Sequence, residues 1–137
     1  MRLSPNFTLR ELTRSKRATE KGIDNRPTEE IIRNLQHIAP KMERIRKLLG
    51  NNKIKVSSGY RCLELNTLVG GSKNSAHMRG LAVDFTCNDF GTPEEIVAKI
   101  RASTIEFDQC ILEFGQWVHI SFAPPGKKGR RSTFSIN

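Results

Sequence analysis

Three side chains able to bind a metal ion lie in two short segments of the sequence. Residues 75–84 read SAHMRGLAVD and contain His77 and Asp84, and residues 117–121 read WVHIS and contain His119. Zinc accepts imidazole nitrogen and carboxylate oxygen, and a catalytic zinc site has three protein ligands with a fourth position left for water. The three side chains therefore form a candidate zinc site, although such a donor set also accepts other divalent ions.

Two of these ligands lie in segments where apolar and polar residues alternate, as in a strand with one buried face. Asp84 alternates with apolar side chains in residues 81–85, and His119 does so in residues 117–122. Successive side chains of a strand point to opposite faces, so each strand would turn an apolar face to the core and a ligand to the other face. Gly80 would allow a tight turn before the first of these strands.

The same residues resemble a known family. The pattern S-x-H-x-x-G-x-A-x-D is matched at residues 75–84, and a later W-x-H element is matched at residues 117–119. In both respects the chain resembles the zinc D-alanyl-D-alanine carboxypeptidases and related cell-wall peptidases. This group shares its zinc-site architecture with lysostaphin-type enzymes and the hedgehog signalling domain. The resemblance extends to SGYR at residues 58–61, Asn66, NFT at residues 6–8 and DN at residues 24–25, as in the small phage-type members.

The resemblance implies roles for individual residues. His77, Asp84 and His119 would bind one zinc ion per chain, which would polarise the scissile carbonyl and lower the pKa of a bound water. Arg61 would bind the carboxylate of a peptide substrate or stabilise the oxyanion, since its planar guanidinium suits both tasks. Further substrate contacts would come from Ser75, Tyr60 and Trp117.

The general base is where this sequence departs from the best-known members of the family. Those members have an acidic residue three positions before the last histidine, and this chain has Gln116 there, which cannot accept a proton. The nearest carboxylate is Glu113, which we predict to be the catalytic base. Even spacing along one strand would put Glu113 on the face of His119, but Gly115 indicates a turn or bulge that leaves this open.

Two other functions are compatible with parts of the sequence. A zinc-stabilised, non-catalytic module that binds the cell wall would keep the ligands without a base. A nucleic-acid-binding protein would explain the net charge of +9. However, the basic excess lies in residues 1–50 and 127–131, away from the candidate site, and no helix-turn-helix or zinc-finger spacing is present. The charge suits attraction to any polyanion, including an anionic wall polymer.

The remaining patterns predict an α+β fold, with a helical N-terminal half packed on a small, mainly antiparallel sheet. Capping residues Thr8 and Thr28 would start two helices, and Pro40 would kink or divide the second. Strands are expected near residues 54–57, 81–85, 109–113 and 117–122, with an edge strand possible at 133–136.

The chain as a whole predicts one zinc peptidase domain over residues 1–137, monomeric, with a basic, solvated tail over about 124–137. Three cysteines without CxxC spacing indicate reduced, buried thiols. The N-terminus has no secretory signal pattern, and no apolar run is long enough to span a membrane. We therefore expect synthesis in the cytoplasm and action on peptidoglycan of the cell wall after release, as for a phage or prophage lysin.

Overall fold

The computed structural model describes residues 1–137 and confirms the α+β fold. In chain order the elements are β1 (Arg2–Ser4), β2 (Phe7–Thr8), α1 (Leu9–Thr13), α2 (Lys16–Glu20), α3 (Glu29–Leu48), β3 (Lys55–Ser58), α4 (Leu63–Leu68), a 3₁₀ helix (Ala76–Arg79), β4 (Ala82–Thr86), α5 (Pro93–Arg101), β5 (Gln109–Glu113), β6 (Trp117–Ser121) and β7 (Ser132–Ile136). Strands β1 and β2 pair with each other, and the other five form one sheet in the order β3-β4-β6-β5-β7.

The N-terminal helices begin at the predicted caps. Thr8 and Glu11 form a capping box at the start of α1, and the Thr28 side chain accepts a hydrogen bond from the backbone N–H of Ile31 at the start of α3. A second short helix, α2, follows α1, because Ser15 has an extended backbone and its side chain caps α2 through the N–H of Ala18.

Helix α3 runs without interruption through Pro40, so the predicted division at this proline does not occur. Proline at this position removes a hydrogen bond to the carbonyl of Gln36, and both residues are exposed to solvent. Water can therefore satisfy that carbonyl. The opposite face of α3 buries Leu35, Ile38 and other apolar side chains in the same core cluster as the apolar face of the sheet.

The main sheet has one apolar face, as the alternation predicted. Val83 and Phe85 of β4 and Val118 and Ile120 of β6 are fully buried in a cluster of 22 core residues. Strands β4 and β6 are antiparallel, and their register places Asp84 opposite His119. The other face of the sheet therefore presents these two side chains together.

The C-terminal segment forms the edge strand considered possible at residues 133–136 and is not a wholly solvated tail. Strand β7 pairs with β5 in parallel, so the sheet is mixed. The Arg131 guanidinium lies 4.7 Å from the centre of the Phe107 ring and donates to the Ser103 carbonyl at 2.8 Å. Arg130 forms an ion pair with Asp108 at 2.8 Å. These arginines have partners in the fold that their position in a charged run did not reveal.

The cysteines are all free thiols, and Cys87 and Cys110 are buried as predicted, whereas Cys62 is partly exposed. No helix combines the length and the apolar character needed to cross a membrane.

Candidate metal centre

The fold brings the three predicted ligands together. His77 lies on the 3₁₀ helix, Asp84 on β4 and His119 on β6, and one possible ligand atom from each lies within 4.8 Å of the others. His77 and Asp84 are buried, and His119 is partly exposed, so solvent reaches the cluster at His119. Such an arrangement fits an ion that is held by protein on one side and accessible to a small molecule on the other.

Local backbone structure explains the position of His77. The Ser75 hydroxyl accepts a hydrogen bond from the backbone N–H of His77 at 3.2 Å and so caps the 3₁₀ helix. Gly80 ends this helix with a left-handed φ of 70°. A Cβ atom at Gly80 would lie 3.0 Å from Cγ2 of Ile31 and 3.1 Å from its carbonyl oxygen. Glycine is therefore required here both by conformation and by space.

The hydrogen bonds of His77 determine which nitrogen it offers. Nδ1 lies 2.7 Å from the Gly59 carbonyl oxygen, which can only accept, so Nδ1 carries the proton. In neutral histidine Nε2 then has a lone pair, and it lies 3.1 Å from Oδ1 of Asp84. Two acceptors at this distance repel each other unless a cation or a second proton lies between them. The His77–Asp84 pair is thus arranged for a cation.

Asp84 faces the second histidine through the same oxygen. Nδ1 of His119 lies 2.9 Å from Oδ1 of Asp84, and the two imidazole rings have centroids 5.0 Å apart. Ligands about 2.05 Å from a tetrahedral zinc lie about 3.3 Å from each other, close to the two nitrogen–oxygen distances seen here. Both the types of donor and the two nitrogen–oxygen spacings therefore fit zinc.

Asp84 is anionic at neutral pH although it is buried. Burial alone would raise the pKa of this carboxyl, but the adjacent imidazoles of His119 and His77 lower it below its ordinary range. A buried carboxylate without partners would cost several kcal/mol, on the order of the effective penalty for a desolvated ion. The site is thus built to keep a negative charge between two imidazoles.

Arg61 lies beside this centre and has unused hydrogen-bonding capacity. Its Nε atom is buried without a partner. Burial lowers the pKa of Arg61, while the nearby charges of Asp84 and Glu113 oppose that shift. Its backbone N–H donates to the His77 carbonyl at 3.1 Å. The guanidinium thus lies near both carboxylates of the site and can still donate to an anionic group.

Asn25 holds the segment that carries Arg61, and Gly71 leaves space beside its guanidinium. The Asn25 side chain donates to the Tyr60 carbonyl at 3.0 Å and accepts from the Cys62 N–H at 2.8 Å. On the other side, a Cβ atom at Gly71 would lie 3.0 Å from Nη1 of Arg61. The same atom would lie 2.1 Å from Oδ1 of Asn66, a buried oxygen without a partner.

Glu113 lies on the same face of the sheet as His119. The β5–β6 register pairs Ile111 with His119 and Glu113 with Trp117 across a hairpin, so the turn at Gly115 does not move Glu113 to the other face. Oε1 of Glu113 lies 3.7 Å from Nδ1 of His119 and accepts a hydrogen bond from Nε1 of Trp117 at 3.3 Å. Gln116 is exposed in the turn.

The three predicted substrate contacts have different surroundings. Trp117 is half-buried beside Glu113. The Ser75 hydroxyl is partly exposed and accepts the backbone bond described above. Tyr60 is 8% exposed and belongs to the hydrophobic core cluster. Burial raises the pKa of Tyr60.

Two features of the site were not predicted from the sequence. The Gly59 carbonyl orients His77, and the Phe114 ring packs at 5.5 Å between centroids against Trp117. Gly59 belongs to the SGYR segment, in which only Tyr60 and Arg61 were predicted to act in the site. No local pattern marks a backbone carbonyl as the partner of a histidine eighteen positions away.

Comparison with known proteins agrees with this geometry. The sequence model of the family described as peptidase M15 matches residues 5–121. The chain therefore belongs to the peptidase M15 family of zinc D-alanyl-D-alanine carboxypeptidases. This membership supports a zinc peptidase that acts on peptidoglycan in general terms. Among the curated proteins, no sequence matches this chain.

Proposed function

We propose that this chain is a zinc metallopeptidase that hydrolyses an amide bond in the peptide stem or cross-link of peptidoglycan. The observation that carries the proposal is the pair of imidazoles around one carboxylate oxygen of Asp84, with the lone pair of His77 facing that oxygen. We assign His77, Asp84 and His119 as the ligands of one Zn²⁺ ion. What zinc supplies when bound is a Lewis acid and a bound water of lowered pKa.

Glu113 is the proposed general base. Its carboxylate lies on the ligand face, and the hydrogen bond from Trp117 fixes one of its oxygens near His119. In this role Glu113 accepts the proton of the attacking water and passes it to the departing amine. Gln116 can do neither, because a side-chain amide does not take up a proton near neutral pH.

Arg61 is the proposed anion-binding residue. Burial lowers its pKa, and the charges of Asp84 and Glu113 lie close enough to its guanidinium to oppose that shift. The guanidinium can bind a carboxylate of the stem peptide or the oxyanion that forms as the amide is attacked. Ser75, Tyr60 and Trp117 remain proposed substrate contacts, and the ring of Tyr60 belongs to the core cluster.

The specific peptidase activity depends on which peptidoglycan bond is cut. The candidates are the D,D-carboxypeptidase or endopeptidase reaction and the L-alanyl-D-glutamate reaction. We further propose that residues 1–137 form one monomeric peptidase domain that acts on the wall as a phage or prophage lysin.

The charge of the protein supports attraction to its target. Of the 23 Lys and Arg side chains, three form an ion pair with a carboxylate, namely Arg26, Lys41 and Arg130. The other cations have no such partner, which leaves a strongly positive surface. We propose that this surface attracts anionic polymers of the cell wall, an effect that salt would weaken.

Products released from purified peptidoglycan test this function. Mass spectrometry of the soluble products would show a new amino and carboxyl terminus and so identify the bond. A non-catalytic wall-binding module predicts zinc and wall binding without products. A nucleic-acid-binding protein predicts salt-dependent DNA binding that persists in His77→Ala and His119→Ala.

A further inference from the structure

An exposed apolar surface lies beside Glu113. Four apolar side chains form it, and we call them the aromatic ledge: Phe114, Trp117, Phe134 and Ile136. Phe114 is 52% exposed, Phe134 43% and Ile136 39%. Large apolar side chains exposed together, next to a polar site, are typical of a binding surface.

The strand register places the ledge on the ligand face. In the parallel β5–β7 pair, Ile111 lies opposite Phe134 and Glu113 opposite Ile136. Side chains at paired positions point to the same face, so Phe134 and Ile136 share the face of Glu113. Trp117 is hydrogen-bonded to Glu113 and packs against Phe114. The ledge is therefore continuous with the proposed base.

The backbone of Phe114 is in the left-handed region, which is unfavourable for a bulky residue. Its φ is 55° and that of Gly115 is 66°, and the N–H of Gln116 donates to the Glu113 carbonyl at 2.9 Å. Turns with two positive φ values favour Asn-Gly or Gly-Gly, whereas a bulky residue in the left-handed region is an outlier.

The C-terminal strand holds Phe114 in this conformation. The Phe114 N–H donates to the Ile136 carbonyl at 2.7 Å. Strain that the surrounding structure maintains is concentrated at functional sites, so the exposed ring points to a role in binding.

We propose that the aromatic ledge binds a sugar ring of the glycan strand that carries the stem peptide, an inference that rests on the proposed function. Stem peptides present methyl, carboxylate and amino groups, and none of these needs several aromatic rings. A pyranose ring presents a face of C–H groups, which packs on the negative face of an aromatic ring. None of the four ledge side chains is charged, so the ledge suits this ring better than it suits the anionic peptide.

The first test measures sugar binding without catalysis. Trp117 is the sole tryptophan, so its fluorescence reports on the ledge during titration with the peptide-free disaccharide N-acetylglucosaminyl-N-acetylmuramic acid. The expected result is a saturable change in wild type and an apparent Kd about two- to ten-fold higher in Phe114→Asn, the worth of one ring contact. Asparagine tolerates the left-handed conformation, so this variant should fold.

A matched control removes an exposed apolar side chain outside the ledge. Leu63 on α4 is 72% exposed, and Leu63→Asn should bind the disaccharide as wild type does. If wild type shows no saturable change, or Phe114→Asn binds as wild type does, the proposal is wrong. If Phe114→Asn abolishes self-association in sedimentation while sugar binding is unaffected, the ledge is a contact between two copies instead.

The second test compares kcat/KM on a stem peptide with kcat/KM on the same peptide linked to the disaccharide. We expect wild type to prefer the linked substrate and Phe114→Asn to lose about two- to ten-fold of that preference. Cleavage of both substrates with equal efficiency by wild type would overturn the ledge proposal and leave the peptidase function intact. Cleavage of neither would contradict the peptidase function, while the fluorescence titration would still decide the ledge.

Discussion

The carbonyl oxygen of Gly59 lies 2.7 Å from Nδ1 of His77 and directs the other nitrogen of that ring to Asp84. The position of this carbonyl depends in turn on α1, because the next residue, Tyr60, donates its N–H to the Leu12 carbonyl at 2.7 Å. A helix near the N-terminus thereby positions a ligand of the proposed metal centre. Partners of this kind fix the tautomer of a metal-binding histidine and increase its basicity.

Gly59→Ala should weaken zinc binding by about 10- to 100-fold, the usual effect of losing such a partner. A Cβ atom at Gly59 would lie 2.2 Å from the Leu12 carbonyl oxygen, so the backbone must move and carry the His77 acceptor with it. Zinc affinity measured by competition with a chromophoric chelator checks this.

Gly129→Ala is the matched control for this prediction. Its Cβ atom would lie 2.1 Å from the Phe107 carbonyl oxygen, in the C-terminal segment. It should lower Tm as Gly59→Ala does while zinc affinity is retained. Equal zinc affinities in the two variants would mean that the Gly59 carbonyl does not orient the ligand.

Glu113→Gln should lower kcat by about 10²- to 10⁴-fold with one zinc still bound per chain, since removing a general base affects proton transfer and not the ligands. Steady-state kinetics and metal analysis on the same preparation measure both quantities. Gln116→Ala, in the exposed turn, should retain wild-type kcat. A Glu113→Gln variant with full activity would show that another group accepts the proton.

Arg61→Lys should lower kcat/KM by about 10²-fold or more, because an ammonium cannot replace the two-pronged guanidinium. If Arg61 binds a substrate carboxylate, the loss lies mainly in KM; if it stabilises the oxyanion, the loss lies mainly in kcat. Arg26→Lys is the control, since its ion pair with Asp24 is exposed. Unchanged kinetics in Arg61→Lys would exclude both roles.

The hydrogen-bonded carboxylate of Glu43 should contribute to stability in a pH-dependent way. Burial would raise the pKa of Glu43, but hydrogen bonds from Ser4 and Asn6 lower it overall. Because the pKa is lower in the folded state, the contribution is present above the ordinary carboxyl pKa of about 4.3 and is lost as the pH falls below it.

Glu43→Gln should therefore destabilise the protein by about 1 kcal/mol at pH 7, allowing for solvent screening, and by less near pH 3. Urea unfolding at both pH values measures the difference. Glu20→Gln, at an exposed position of α2, should leave the unfolding free energy unchanged. A Glu43→Gln effect of the same size at both pH values would contradict the ionic contribution.

Alternation and capping residues predicted much of the fold, because these signals are local. The alternation of apolar and polar residues in β4 and β6 identified the strand faces on which Asp84 and His119 lie. Their pairing could not be predicted, because register depends on the whole sheet.

The remaining differences also depend on distant contacts. The placement of Glu113 needed the geometry of the β5–β6 turn. The direction of β7 and the partners of Arg131 depend on segments far away in the chain, so a run of basic residues suggested a solvated tail. Likewise the acceptor for His77 is a backbone carbonyl, and every residue offers one of those.

Zinc-dependent release of peptide from purified peptidoglycan tests the central claim most directly. Wild type would be assayed as prepared, after removal of metal with a chelator, and after zinc is restored, with His77→Ala treated identically. We predict that release stops on chelation, returns with about one equivalent of zinc, and is absent from His77→Ala under all three conditions. Release that persists in the chelated protein or in His77→Ala would contradict a zinc peptidase built on His77, Asp84 and His119.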